Sequence, residues 1–247
     1  MNNSLLENII REASEKKNLT DYSFNQIKRT HMRRLGIHGL PGNIKLLSVY
    51  QKMMKTKAIR RNAQLDLIIK KRKIRSLSGI ASITILTRDW GCPGKCTFCP
   101  TEKGMPKSYL SNEPAVMRAI LNEFDPYMQI RTRLDSLKAQ GHATDKIEVI
   151  VIGGTWSAIP HDYQEWYIKK IYEALNDTKT KKQKPHASYK TGKSLKALED
   201  YNQKHAKHKL VGLTLETRPD WVNEKEIALM RQYGCTRVEL GVQSIFD

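Results

Sequence analysis

The 247-residue sequence predicts an α/β protein, a partial (β/α) barrel behind a basic helical N-terminal extension. Three observations carry that expectation. Residues 1–79 space their apolar side chains at helical intervals and carry recurrent cations. From Ile80 onward, short β-branched runs alternate with helical stretches, the pattern of parallel strands joined by helices. Only four β/α units follow, too few to close a barrel, so 80–247 is expected to be the first part of a longer, truncated fold.

The extension opens with Leu5, Leu6, Ile9 and Ile10 at helical spacing, with Ser4 placed to cap that helix. A break follows at Gly36, Gly39, Pro41 and Gly42, and a second helical stretch runs from Ile44 to Met54. Cations gather at Lys28–Arg34, at Arg60 and Arg61, and at Lys70–Arg75.

In the α/β part, the first strand is expected over Ala81–Thr87. A helix opens near Pro114, which suits a first turn because its missing N–H would go unused there. Asp125 and Pro126 break it, and a second piece runs to Gly141. The second strand, Ile147–Ile152, leads into Gly153-Gly154-Thr155, and Tyr163, Tyr167 and Ala174 form the core stripe of the next helix. Residues 177–208 are polar and lysine-rich, and read as a surface insertion, partly disordered or holding one short helix. A third strand at Leu210–Leu215, a helix over 222–233 closed by Gly234, and a fourth strand at Thr236–Val242 complete the chain.

The chemistry is concentrated just past the first strand, in Cys92-Pro93-Gly94-Lys95-Cys96-Thr97-Phe98-Cys99. A tight loop can turn three thiolates toward one point, which suits a [4Fe–4S] cluster with one iron left open. Lys95 favours the thiolate forms, and Phe98 can cover the site with an aromatic face. Structural zinc draws on the same ligands but normally needs four, for which His161 and His186 are available. Cys235 stands apart and reads as a buried thiol.

Gly153 and Gly154 leave a backbone open to a small zwitterion such as an amino acid, and a carboxylate ending a strand, Glu216, can take ribose hydroxyls. An open iron, an amino-acid cradle and a ribose acceptor on one rim together describe a site for S-adenosylmethionine. The charge balance, 43 basic against 25 acidic side chains for a net +18, favours a polyanionic partner, nucleic acid before membrane. Without a basic-then-apolar start or a long apolar run, the chain reads as soluble and cytoplasmic with no membrane partner.

The cysteine loop, with an aromatic before its last cysteine, resembles the radical S-adenosylmethionine (SAM) superfamily. A closer resemblance, to the Elongator catalytic-subunit family, covers most of the chain from Arg75. It is carried by Arg75–Ala81, Asn112–Ala119, Phe124–Tyr127, Gly153-Gly154-Thr155, Leu215–Asp220 and Tyr233–Ser244. The resemblance implies a tRNA-modifying enzyme that forms 5-carboxymethyluridine at the wobble position, with SAM as radical source and acetyl-CoA as co-substrate. It implies that Cys92, Cys96 and Cys99 hold the cluster and that Phe98, Gly153, Gly154, Thr155, Glu216 and Gln243 surround the cofactor. Lys70, Lys71, Arg72, Lys73 and Arg75 would contact tRNA, so that 1–79 is a tRNA-binding region and 80–247 an incomplete radical SAM core. Accessory subunits are further expected partners, the missing part would carry an acetyltransferase domain, and no catalytic side chain is assigned. Two other readings are a zinc-stabilised RNA-binding module without radical chemistry and a radical SAM oxidase of another branch acting on a small molecule.

Overall fold

A computed structural model describes residues 3–70, 76–178 and 192–242. The chain divides into two compact units, Met1–Ser78 with Ser136–Ala143, and Gly79–Asp135 with Thr144–Asp247.

In the first unit, α1 (Asn3–Glu15), α2 (Asp21–Arg34), α3 (Asn43–Lys55) and α4 (Ala63–Ile69) surround a core of their own. Leu5, Leu6, Ile9, Ile10 and Ala13 supply the α1 face, against Phe24, Ile27, Leu46, Tyr50 and Leu65. Ser4 lies inside α1 rather than ahead of it. Thr20 and Ser23 cap α2 reciprocally, each side chain accepting the other's backbone N–H. Asn62 caps α4 by accepting from Leu65 N–H at 3.0 Å, and its amide also donates to Ser14 O at 3.0 Å.

One of the expected surface cations is internal. Lys28 is 5% exposed, with its ammonium 4.5 Å from the centre of the Phe24 ring and donating to Asn43 Oδ1 at 2.8 Å. Burial holds its pKa below the usual lysine value, against the pull of Asp21. Lys28 therefore belongs to the packing of this unit.

The second unit is a parallel four-stranded sheet in the order β1-β2-β3-β4, as an α/β barrel segment requires. The strands are β1 (Ala81–Leu86), β2 (Lys146–Ile152), β3 (Lys209–Thr217) and β4 (Arg237–Leu240). The crossovers carry α5 (Pro114–Leu121) and α6 (Pro126–Ala139), then α7 (His161–Asn176) and α8 (Leu195–Lys204), then α9 (Glu224–Gln232). Ile83, Ile85, Val149, Val151, Leu213 and Leu215 are all buried. The α7 stripe of Tyr163, Tyr167 and Ala174 lies in the core, as its spacing predicts.

Among the described residues β1 has one strand neighbour, and a side chain serves its last residue. Gln129 of α6 donates to Leu86 O and accepts from Leu86 N–H, both at 2.9 Å. Among its described residues the polar stretch after α7 holds one short helix, α8, as expected, and one face of it is packed inward. Leu198 and Asn202 of α8 are buried, and the Asn202 amide bonds Asn176 Oδ1, His208 O and Leu210 N–H. The rest of that stretch, 179–191, lies outside the described residues. No helix among the described residues is long and apolar enough to cross a membrane.

Candidate functional site

Parallel register brings the C-terminal ends of the strands to one rim. Thr87 N–H, just past β1, bonds Ile152 O, and Gly241 N–H, just past β4, bonds Thr217 O. The segments that follow each strand line a single cleft: Cys92, Cys96 and Cys99 after β1, Lys107 and Ser108 further along the same segment, Gly154 and Thr155 after β2. Glu216, Thr217 and Arg218 close it at the end of β3, with Gly241 after β4.

The three thiols are partly buried and free of disulfides. Cys92 Sγ lies 3.3 Å from Thr155 Oγ1 and accepts from Gly94 N–H at 3.4 Å. Cys96 Sγ accepts from the Arg218 guanidinium at 2.9 Å. Among the described residues no group of three His, Cys, Asp or Glu side chains closes on a point that would hold a metal ion. A zinc site would need a fourth ligand beside the three thiols. His161 instead lies 3.5 Å from Glu226, and His186 is outside the described residues. Three thiols lining one cleft suit a cubane, which offers its irons at separate corners.

Gly153 and Gly154 have φ of 139° and 94°, in the region that favours glycine. A Cβ on Gly153 would fall 2.1 Å from Thr87 Oγ1, so β2 can end against β1 only with hydrogen at this position. A Cβ on Gly154 would meet nothing nearer than Lys107 O at 3.8 Å, so its backbone faces open space on the cleft. The buried Thr87 hydroxyl has no hydrogen-bond partner. Open backbone and three thiols in one cleft fit an iron–sulfur cluster together with a small polar cofactor.

Glu216 faces the same cleft and accepts from the Tyr109 hydroxyl at 2.5 Å. Burial pushes its pKa above the usual carboxylate value, against the hydrogen bonds from Tyr109 and the Gly153 backbone, and Glu239 adds to the rise. Burial first, and then Glu216, push the Tyr109 phenol up. A carboxyl that binds its proton more tightly when folded adds stability at low pH, and that stability drains away as pH climbs through its raised value. Urea midpoints measured across that window will fall for the wild type relative to Glu216→Gln. Parallel profiles for the two proteins would show that the carboxyl does not titrate as its burial requires.

The sequence-predicted residues are thus brought together unevenly. The three cysteines, Gly154, Thr155 and Glu216 line the cleft, while Gly153 backs it against Thr87. Phe98 is 72% exposed and absent from the lining, which departs from the expected aromatic cover. Because it is one residue before Cys99 in an exposed turn, its side chain is carried outward. Gln243 and Lys71, Arg72, Lys73 and Arg75 lie outside the described residues, and Lys70 donates to Ser76 Oγ at 3.3 Å. Cys235 is a buried thiol donating to Arg237 O at 3.1 Å, with its pKa pushed up by burial.

Arg218, Lys107, Ser108 and Tyr109 are site residues that sequence reasoning missed. Arg218 lay inside the quoted Leu215–Asp220 motif, and its position directly after a strand on the rim was the available signal. For the other three, in a loop without periodicity, the sequence offers none.

Residues 91–247 match the family profile described as the radical SAM superfamily. The chain belongs to the radical SAM superfamily. Among curated proteins, this radical SAM chain is 39% identical over 251 residues to a tRNA uridine(34) acetyltransferase of Methanocaldococcus infernus, covering 98% of the chain and 43% of that protein. It is 30% identical over 259 residues to Elongator complex protein 3 of Drosophila melanogaster, covering 98% of the chain and 42% of that protein. A solved structure, the archaeal Methanocaldococcus infernus Elp3 with an N-terminal deletion, aligns at 36% identity over 68% of this chain and 30% of that one, with a TM-score of 0.48. The radical SAM chain therefore spans about two-fifths of the length of the curated relatives it matches.

Proposed function

We propose that this chain is the radical SAM part of a tRNA-modifying enzyme that builds 5-carboxymethyluridine at the wobble position, using SAM and, in the full-length protein, acetyl-CoA. The observation that carries the reading is the convergence of Cys92, Cys96 and Cys99 with Gly154, Thr155 and Glu216 on one cleft at the strand ends. The resemblance to tRNA uridine(34) acetyltransferases over nearly the whole chain supports the choice of substrate.

A [4Fe–4S] cluster bound at the three thiols would supply the electron for reductive cleavage of SAM. The chain's own residues bind and orient. Cys92, Cys96 and Cys99 hold the cluster, and the Gly94 N–H and Thr155 hydroxyl contact Cys92 Sγ. The open backbone at Gly154 receives the amino-acid end of SAM. Glu216, fixed by Tyr109, accepts from the ribose hydroxyls. Lys70 and the neighbouring cations meet tRNA phosphates, and accessory subunits join the assembled enzyme. Anticodon bases are unpaired and can leave their stack, which makes a wobble uridine reachable for chemistry.

The test is anaerobic reconstitution of this chain with iron and sulfide, followed by incubation with SAM and dithionite. The expected result is a brown protein with about four irons per chain that cleaves SAM. Colourless protein with one zinc would favour the RNA-binding module. A tRNA-binding constant that falls steeply with salt supports the nucleic-acid substrate, because each phosphate contact releases counterions. A salt-insensitive or absent interaction would point to a small-molecule oxidase instead.

A further inference from the structure

Arg218 occupies an unusual position. Its guanidinium is held by Asp220 through two bonds, Nε to Oδ1 at 2.9 Å and the Nη2 end to Oδ2 at 2.7 Å. The remaining Nη1 end donates to Cys96 Sγ at 2.9 Å across 122 positions of sequence. The space it crosses exists only because residue 94 has no side chain, since a Cβ there would fall 1.9 Å from Arg218 Nη1. The guanidinium side chain is 26% exposed, so part of its field is shielded from water.

A planar fork with one edge taken by a carboxylate has a fixed direction for its other edge. That edge points at one cysteine of three. Arg218 also starts the turn after β3, whereas Cys96 belongs to the loop after β1, and β2 lies between those strands. The contact therefore ties the cysteine loop to a part of the sheet that is not its neighbour.

We propose that Arg218 is a positioning residue that fixes Cys96 within the loop and, as a permanent cation donating to a cluster thiolate, raises the reduction potential of the cluster. The inference rests on the cluster reading above. Reduction adds one negative charge to the cluster, so a fixed positive charge and an N–H···S bond favour the reduced form. Hydrogen bonds to ligand sulfurs, net charge and solvent exposure are the levers that set such potentials. Gly94 and Asp220 serve the same device, one by leaving room for the fork and the other by aiming it.

The experiment is a dithionite redox titration of the anaerobically reconstituted chain, followed by electron paramagnetic resonance, with iron counted in parallel. Arg218→Met is expected to keep wild-type iron while its ratio of reduced to oxidised cluster at a fixed potential falls about tenfold, a shift of ~59 mV to more negative values for one electron. Arg218→Lys, which keeps the charge without the fork, is expected to recover part of that loss. Gly94→Ala, which pushes the guanidinium aside, and Asp220→Asn, which loosens it, are expected to shift in the same direction by less. Arg218→Met with full iron and the wild-type potential overturns the proposal. Where a substitution at 218 fails to fold or loses its iron, Gly94→Ala and Asp220→Asn decide, and an unmoved potential in both overturns it. Wild-type chain without a cluster defeats the functional reading itself, whereas a normal wild-type cluster with unmoved variants defeats this inference alone.

Discussion

Cys96→Ala will take the reconstituted chain from about four irons to close to none, and SAM cleavage will go with them. A cube held through three corners has no spare ligand, and the one other cysteine, Cys235, is buried after α9, away from the loop in sequence. The effect is separable from unfolding. Cys96 sits in an irregular loop of mostly exposed or half-exposed residues, outside the sheet and helices, so far-ultraviolet circular dichroism is expected to stay unchanged. Cys92→Ala and Cys99→Ala are expected to behave in the same way. Cys235→Ala supplies the contrast: its thiol is 3% exposed and donates to Arg237 O, so its removal costs stability and leaves the iron in place. Full iron in any of the three loop variants, or loss of iron in the Cys235 variant, would contradict the ligand assignment.

Gly153→Ala is expected to destabilise the second unit by about 2–4 kcal/mol through two additive causes, an L-residue at a glycine-only backbone angle and overpacking against β1. The methyl would arrive 2.1 Å from Thr87 Oγ1 and 3.2 Å from both Thr87 Cβ and Thr87 N. The hydroxyl is the one part of that wall that substitution can remove. Thr87→Ala in the same chain should therefore restore part of the urea midpoint, while the cost of the φ of 139° remains. At Gly154 the outcome differs, because the methyl has room and only the backbone angle resists it. Equal midpoints for the Gly153 and Gly154 variants would show that contact with Thr87 is not what limits residue 153.

Much of this architecture is local enough to be read from sequence. Each strand falls within two residues of the expected bounds at both ends, because short apolar, β-branched runs between turn signals mark strands locally. The helix starts at Pro114 and Pro126 and the positive φ of Gly234 are likewise consequences of single residues. The burial of Lys28 and of Asn202 escapes the sequence for a common reason. Each is a polar residue in a polar stretch, and what internalises it is a partner from another element: Asn43 for Lys28, and Asn176, His208 and the Leu210 amide for Asn202.

For the site, the sequence by itself determined which groups follow the strands: three cysteines in one short loop after the first, a glycine pair after the next, and a carboxylate ending the third. Only the tertiary structure decided which other groups meet them. Arg218 reaches Cys96, and Tyr109 reaches Glu216, over 122 and 107 positions because parallel strands deliver all their following segments to one edge. Phe98, next to Cys99 in sequence, is carried into solvent instead. Spacing along the chain constrains what a short loop can gather, whereas contact between loops depends on the register and order of strands, which no single loop encodes.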